Sequence, residues 1–266
     1  MEFINDPNFK HHFYKDAIRI NYPDGAPTQL INDFGYSYIM FCYGPWEAII
    51  KDGSNINVPL ALVKPTGDYF RVTAPKGGVW VTFEIPTTYY HAITGLETAD
   101  HSNYLTDLRT ILPHDLVDHL SNKLADVQEI DNLVKIMDES LSSYYSEWSQ
   151  PTAAQEIVTY IYDHNGLLNL EDLLDVFPQS KRTLERLFST WVGVPPYRFI
   201  KLVRFNFIIR EVMEETKPLP QLIADYNYYD HSHFEKDFKN FMGQSIREYN
   251  NVFNPLLTGA LKRAYV

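Results

Sequence analysis

Apolar positions along the 266-residue chain keep two different rhythms. Over residues 1–112 they form short β-branched or aromatic runs of strand length: Tyr36–Tyr43, Val58–Val63 and Val79–Ile85. Around them stand PDG at 23–25, KDGSN at 51–55, PTGD at 65–68 and PKGG at 75–78, where Gly, Pro, Asn and Asp favour tight turns. Many short strands with regular turns predict a β-barrel or sandwich. From Pro113 the apolar spacing changes to that of helices. Leu116, Val117, Leu120 and Leu124 make one stripe, and Ile130, Leu133, Val134, Met137, Leu141 and Tyr144 make another. The second belongs to a helix that either pairs with its twin in a dimer or covers the barrel. Pro151 disfavours helix in the residue before it, so Ser142–Pro151 reads as the end of the helical region and the start of a linker. The expected organisation is α+β: a β-rich domain over 1–112, a helical dimerisation or linker segment over 113–150, and an all-α domain over 151–266.

The last region contains an internal echo. Asn169 can cap a helix running to Phe177, with Glu171 and Asp172 in its first turn, where the helix dipole favours acids. Pro178 stops it and Ser180 caps the next helix. There Leu184, Leu187, Phe188 and Trp191 form one apolar face, Arg182 and Arg186 share another, and Gly193 ends the helix. Fifty residues on, the arrangement returns. Pro220 suits a first helical turn, Leu222, Ile223 and Tyr226 are its apolar set, and Asn227 tolerates a left-handed turn. Asp230 caps a helix in which Phe234, Phe238 and Phe241 repeat, and Gly243 closes it. Between the units runs a long helix, Pro196–Glu215. This is the pattern of two helix-turn-helix units joined by a linker helix.

Charge alters that picture only in detail. Net charge is -11, yet residues 1–150 hold 10 Lys+Arg against 20 Asp+Glu, and residues 151–266 hold 13 against 14. The acid sits in the first half. The second half is neutral, so nucleic-acid binding there requires its charges sorted onto one face. With 45% hydrophobic and 21% charged residues, general disorder is excluded. No run approaches the roughly 18 apolar residues of a membrane span. The opening MEFINDPNFKHHFYKD lacks the basic-then-apolar order of a signal peptide, and the single cysteine, Cys42, forms no internal disulfide. A cytoplasmic protein without membrane partners is the expectation.

The residues from Ala153 to Tyr249 resemble the DNA-binding domain of the AraC/XylS family of bacterial regulators. The likeness is carried by Leu170, Leu173, Ser180, Arg182, Thr183, Leu184, Arg186, Phe188, Gly193, Pro196, Phe199 and Arg204. In the second unit it is carried by Ile223, Ala224, Asp230, Ser232, His233, Phe234, Phe238, Lys239, Gly243, Ser245 and Tyr249. It implies a transcription regulator that places each recognition helix in a major groove of double-stranded DNA. Base-reading positions would be Arg182, Arg186, Ser232 and Lys236. Arginine suits this role, since it can donate two bonds to guanine. Lys181, Arg198, Lys201, His231, His233 and Lys239 would meet phosphates, which position without specifying. Leu174, Pro178, Asn227, Phe207 and Ile208 depart from the family pattern, and the bulk is expected to alter docking of the first recognition helix more than of the second. The likeness further implies a cupin-like β-barrel sensor, a possible small-molecule effector and a possible homodimer.

Blander readings stand beside these. Arg182 and Arg186 flank Glu185 and could form a solvated face. The neutral domain could equally serve protein–protein contact after losing DNA. His231 and His233 could be caps or merely exposed residues. In the first half, Tyr36, Tyr38, Trp46, Tyr69 and Trp80 either line a ligand pocket or fill the barrel. Glu84, between Phe83 and Ile85, is either a pocket acid or, more ordinarily, an outward strand residue. His11, His12, His91 and His101 lack metal-site spacing, and Cys42 reads as a small buried residue. No metal, cofactor or catalytic constellation is expected, and hence no enzyme.

Overall fold

The computed structural model describes residues 1–6, 8–51, 53, 55, 58–99, 104–149 and 152–250. His101, Gln150 and Pro151 lie outside them. The described residues of the first half form nine strands: β1 (Glu2–Ile4), β2 (Asp16–Tyr22), β3 (Ala26–Asn32), β4 (Ser37–Tyr43), β5 (Glu47–Ile50), β6 (Leu60–Val63), β7 (Tyr69–Ala74), β8 (Gly78–Ile85) and β9 (Leu105–Asp107). They form a six-stranded sheet ordered β1-β2-β8-β4-β6-β9 and a three-stranded sheet ordered β3-β7-β5. The paired strands are antiparallel throughout.

The three strands expected from apolar runs are β4, β6 and β8, adjacent at the centre of the large sheet. Central strands buried on both faces read as continuous hydrophobic stretches. Register then sorts their side chains. Tyr38, Met40 and Cys42 of β4 stand opposite Glu84, Thr82 and Trp80 of β8, and Ile18 and Ile20 of β2 stand opposite Thr82 and Trp80. These residues share the face turned to the small sheet. The alternate residues, Ile39, Phe41, Val81, Phe83 and Ile85, face the other way into a second core.

Helices α1 (Tyr89–Thr94), α2 (His114–Leu124) and α3 (Ile130–Trp148) cover that second face. On α3 the residues Ile130, Leu133, Met137, Leu141, Tyr145 and Trp148 are buried. Of the two alternatives for this helix, its apolar stripe covers the sheet. The end of the helical region, expected within Ser142–Pro151, falls at Trp148, where α3 stops. Tyr145 and Trp148 extend the buried stripe, and Tyr145 stacks on Phe13 with ring centroids 4.1 Å apart.

The helical half comprises α4 (Ala153–Asp163), α5 (Leu170–Val176), α6 (Lys181–Trp191), α7 (Pro196–Met213), α8 (Leu219–Asp225), α9 (His231–Met242) and α10 (Ile246–Asn250). Helix α7 is buried on most sides, from Phe199 to Ile209. Its core continues into the space between the two sheets, joining residues such as Ile20, Trp46 and Val72 to Phe199, Phe205 and Phe238. No described helix is long and apolar enough to cross a membrane.

Candidate nucleic-acid interface

Local chemistry sets the ends of each unit. The Asn169 side chain accepts from Glu171 N and Asp172 N, while Asp172 accepts from Asn169 N, a reciprocal capping box at the start of α5. Ser180 Oγ accepts from Thr183 N at 3.2 Å to start α6. Asp230 accepts from His233 N at 2.8 Å to start α9. Asn227 turns the second unit with φ 55°. Such left-handed geometry disfavours most side chains but tolerates Asn.

Both recognition helices bury one face and expose another. On α6, Leu184 and Phe188 are buried while Lys181, Arg182, Glu185 and Arg186 are exposed. On α9, Phe234, Phe238 and Phe241 are buried and His231, Ser232, Lys236 and Lys239 are exposed. Tyr229, immediately before the α9 cap, is 92% exposed, a surface aromatic that periodicity did not mark. Three exposed cations, Lys181, Arg182 and Arg186, thus stand on α6 and two, Lys236 and Lys239, on α9, interspersed with Glu185 and half-buried Glu235.

Two of the cations expected at phosphates have internal partners. Arg198 donates to Gly67 O (2.7 Å) and Asp68 Oδ1 (2.9 Å), clipping α7 to the rim of the sheets. Lys201 donates to Asp237 Oδ1 at 2.6 Å, tying α7 to α9. Sequence spacing placed both on the linker helix but held no sign of partners 130 and 36 residues away. His233 is half-buried, edge-on to Tyr228 with centroids 5.1 Å apart, and accepts from Tyr229 N at 3.4 Å.

The sheets grip the helical half at several points. Asn206, fully buried on α7, meets Asn32 at 2.5 Å and donates to Asp33 O at 3.0 Å. Asp33 itself accepts from Gly35 N, Thr66 N and Gly67 N at 2.5–2.6 Å, which locks two loops of the rim together. Tyr162 of α4 donates to Gly35 O at 2.9 Å. At the C-terminal end of α6, Thr98 N and Thr98 Oγ1 donate to Thr190 O (3.1 and 2.8 Å), and Ala99 N donates to Ser189 O (2.9 Å). Two of the carbonyls left open at this helix end are thereby satisfied from the sheet domain. Thr98 O in turn accepts from Lys64 Nζ at 2.7 Å.

Lys64 also lines a cavity of about 150 Å³ between the sheets. Tyr38, Trp46, Trp80 and Glu84, four of the six expected pocket residues, line it as well. Glu84 is therefore not outward: its register with Tyr38 turns it into the lumen, and it is 5% exposed. Burial, with Asp16 nearby, holds its carboxyl well above the usual carboxylate range. Tyr36 and Tyr69 do not join this wall. Tyr36 stacks flat on Tyr162 at 4.9 Å, and Tyr69 packs beneath Gly243. Both aromatics serve the junction with the helical half. Among the described residues no His, Cys, Asp and Glu group could hold a metal ion.

Residues 173–251 match the family model described as a helix-turn-helix domain. That stretch is an AraC-type helix-turn-helix domain. Among solved structures, an apo variant of ToxT from Vibrio cholerae is 13% identical, with 88% of this chain and 96% of that chain covered and a TM-score of 0.51. A second ToxT structure is 15% identical over 94% of this chain and 98% of its own, with a TM-score of 0.48. A third, bound to (E)-4-(8-methylnaphthalen-1-yl)but-3-enoic acid, is 15% identical over 88% and 96%, with a TM-score of 0.48. No curated protein matches the sequence. The likeness to ToxT is one of fold: cupin-like antiparallel sheets followed by the helix-turn-helix region.

Proposed function

We propose that the chain is a sequence-specific DNA-binding transcription regulator whose sheet domain answers to a small molecule. The observation that carries this reading is the pair of capped recognition helices with Arg182 and Arg186 exposed on α6 and Ser232 and Lys236 exposed on α9. Each helix would enter a major groove, and successive grooves on one DNA face lie about 34 Å apart. Lys181 and Lys239, exposed beside them, would meet phosphates, together with His231. Control by an effector is supported by the cavity between the sheets and by Lys64, which lines it and bonds the segment capping α6.

Selection of bound sequences from a random DNA pool, followed by gel shift, tests this. Enrichment of one motif with salt-sensitive affinity is expected. Arg186→Ala and Lys236→Ala should each weaken specific binding by about tenfold or more, the loss of a base contact worth roughly 1–3 kcal/mol. A wild-type protein that enriches no motif overturns the reading and favours a protein-binding role.

A further inference from the structure

We propose that the cavity between the sheets binds a compact, uncharged, largely apolar molecule that presents a carbonyl or hydroxyl oxygen to Glu84. This rests on the effector-responsive reading above and specifies the ligand class.

Its walls are mostly hydrocarbon and ring: Trp46, Phe70 and Trp80 close one part, with aliphatic residues of β2 and β3 around them. Three charged side chains reach the lining, Asp33, Lys64 and Glu84. Two are committed elsewhere. Asp33 accepts from three backbone N–H groups, and Lys64 donates to Thr98 O. Glu84 alone makes no ion pair and no side-chain hydrogen bond among the described residues. Directly opposite it, Tyr38 Oη is buried without a partner, as is Trp80 Nε1 on the same face of β8. An apolar space with unmet donors and no uncommitted cation favours a ligand that brings an acceptor and no charge. A buried carboxylate would remain unpaired, which is costly. An ammonium would require Glu84 to ionise, and a buried ion pair gains little over its desolvation. Burial shifts Glu84 toward its neutral form, in which it can instead donate its O–H, as buried carboxylic acids do in other sites.

The test compares three probes of one chain length on the full chain: octanamide, octanoate and octylammonium, followed at pH 7 by tryptophan fluorescence and calorimetry. Octanamide should bind about tenfold or more tighter than either ion, because only the ions are desolvated without a ready partner. Glu84→Gln, which keeps a donor, should retain octanamide binding. Glu84→Leu should lose about tenfold in affinity. Tyr38→Phe, which removes a buried hydroxyl with no partner, should weaken octanamide binding without lowering the melting temperature of the unliganded protein. Tightest binding of octanoate or of octylammonium overturns the proposal, as does full affinity in Glu84→Leu. Failure of all three probes overturns the effector reading of the cavity as well. DNA selection is read separately, so it distinguishes that outcome from failure of the regulator assignment.

Discussion

The two helix-turn-helix units share one plan, yet they are held by different forces. Both recognition helices end on a glycine in left-handed conformation, Gly193 (φ 82°) and Gly243 (φ 67°), and both glycines abut the sheet domain. At the first, the contact is polar: the backbone and hydroxyl of Thr98 and the backbone of Ala99 donate to the last carbonyls of α6. At the second, it is a ring: Gly243 lies on Tyr69. The second unit is instead pinned to the linker helix by Lys201–Asp237 and by Phe205 against Phe238 and Phe241, at centroid distances of 5.8 and 5.0 Å. Unit one is thus coupled to the sheet domain by hydrogen bonds and by the His91 ring edge-on to Trp191, and unit two to α7 by a buried ion pair and aromatic packing. A repeat in sequence has become an asymmetry in attachment. Movement of the Thr98 segment would reach α6 before α9.

The largest expected effect breaks the attachment of the second unit. Asp237 is 3% exposed, and its Oδ2 has no hydrogen-bond partner. Lys201→Met would leave that carboxylate buried without its cation, at a cost of about 3–5 kcal/mol. Arg186→Ala, on the exposed face of α6, should change stability by no more than about 0.5 kcal/mol while impairing DNA binding. Chemical denaturation of both variants checks the contrast. Equal stability losses would show that Lys201 is no more than a surface cation.

Local chemistry was legible because it depends on near neighbours. Asn169, Ser180, Asp230, Asn227 and both closing glycines stand where their capping and turn preferences placed them. Apolar runs found the central strands for the same reason. Long-range pairing carries no such signal. Nothing near Arg198 or Lys201 announces Asp68 or Asp237, and the phosphate role came from the family resemblance and from charge. Glu84 misled because flanking apolar residues usually mean that the middle residue faces water. In a sheet covered on both sides, neither face does. Tyr36 and Tyr69 pack at the junction with the helical half, and spacing cannot separate a cavity wall or a barrel core from such a junction.

Intermediate in size are the two closing glycines, and they should fail differently. Any L-residue there meets the left-handed penalty of roughly 1–2 kcal/mol. A Cβ on Gly193 would also stand 2.7 Å from Thr98 O, a backbone atom fixed by its own hydrogen bonds. The nearest atoms to a Cβ on Gly243 belong to the Tyr69 ring, a side chain that can swing away. Gly193→Ala should therefore cost about 3 kcal/mol, adding overpacking to the conformational penalty, and truncating Thr98 should not rescue it. Gly243→Ala combined with Tyr69→Ala should recover the collision and retain the conformational cost. Double-mutant cycles on melting temperature read the coupling directly; rescue at both sites would erase the distinction between polar and ring attachment.

The smallest change isolates the polar attachment itself. Thr98→Val keeps the shape of a side chain that is 1% exposed and removes only its hydroxyl. Thr190 O retains the bond from residue 98 N at 3.1 Å but loses the one at 2.8 Å. One intramolecular hydrogen bond of this kind is worth about 0.5–1.5 kcal/mol, so global stability should fall by about that much. Where the loss appears matters more than its size. Val192 N and Gly193 N both donate to Phe188 O at the end of α6, and hydrogen exchange there should quicken. Exchange at Gly243 N, which donates to Lys239 O at the end of α9, should not change. A variant that loosens both helix ends equally would mean that the units open together through α7. One that loosens only α6 would establish the first unit as the one that the sheet domain holds through Thr98.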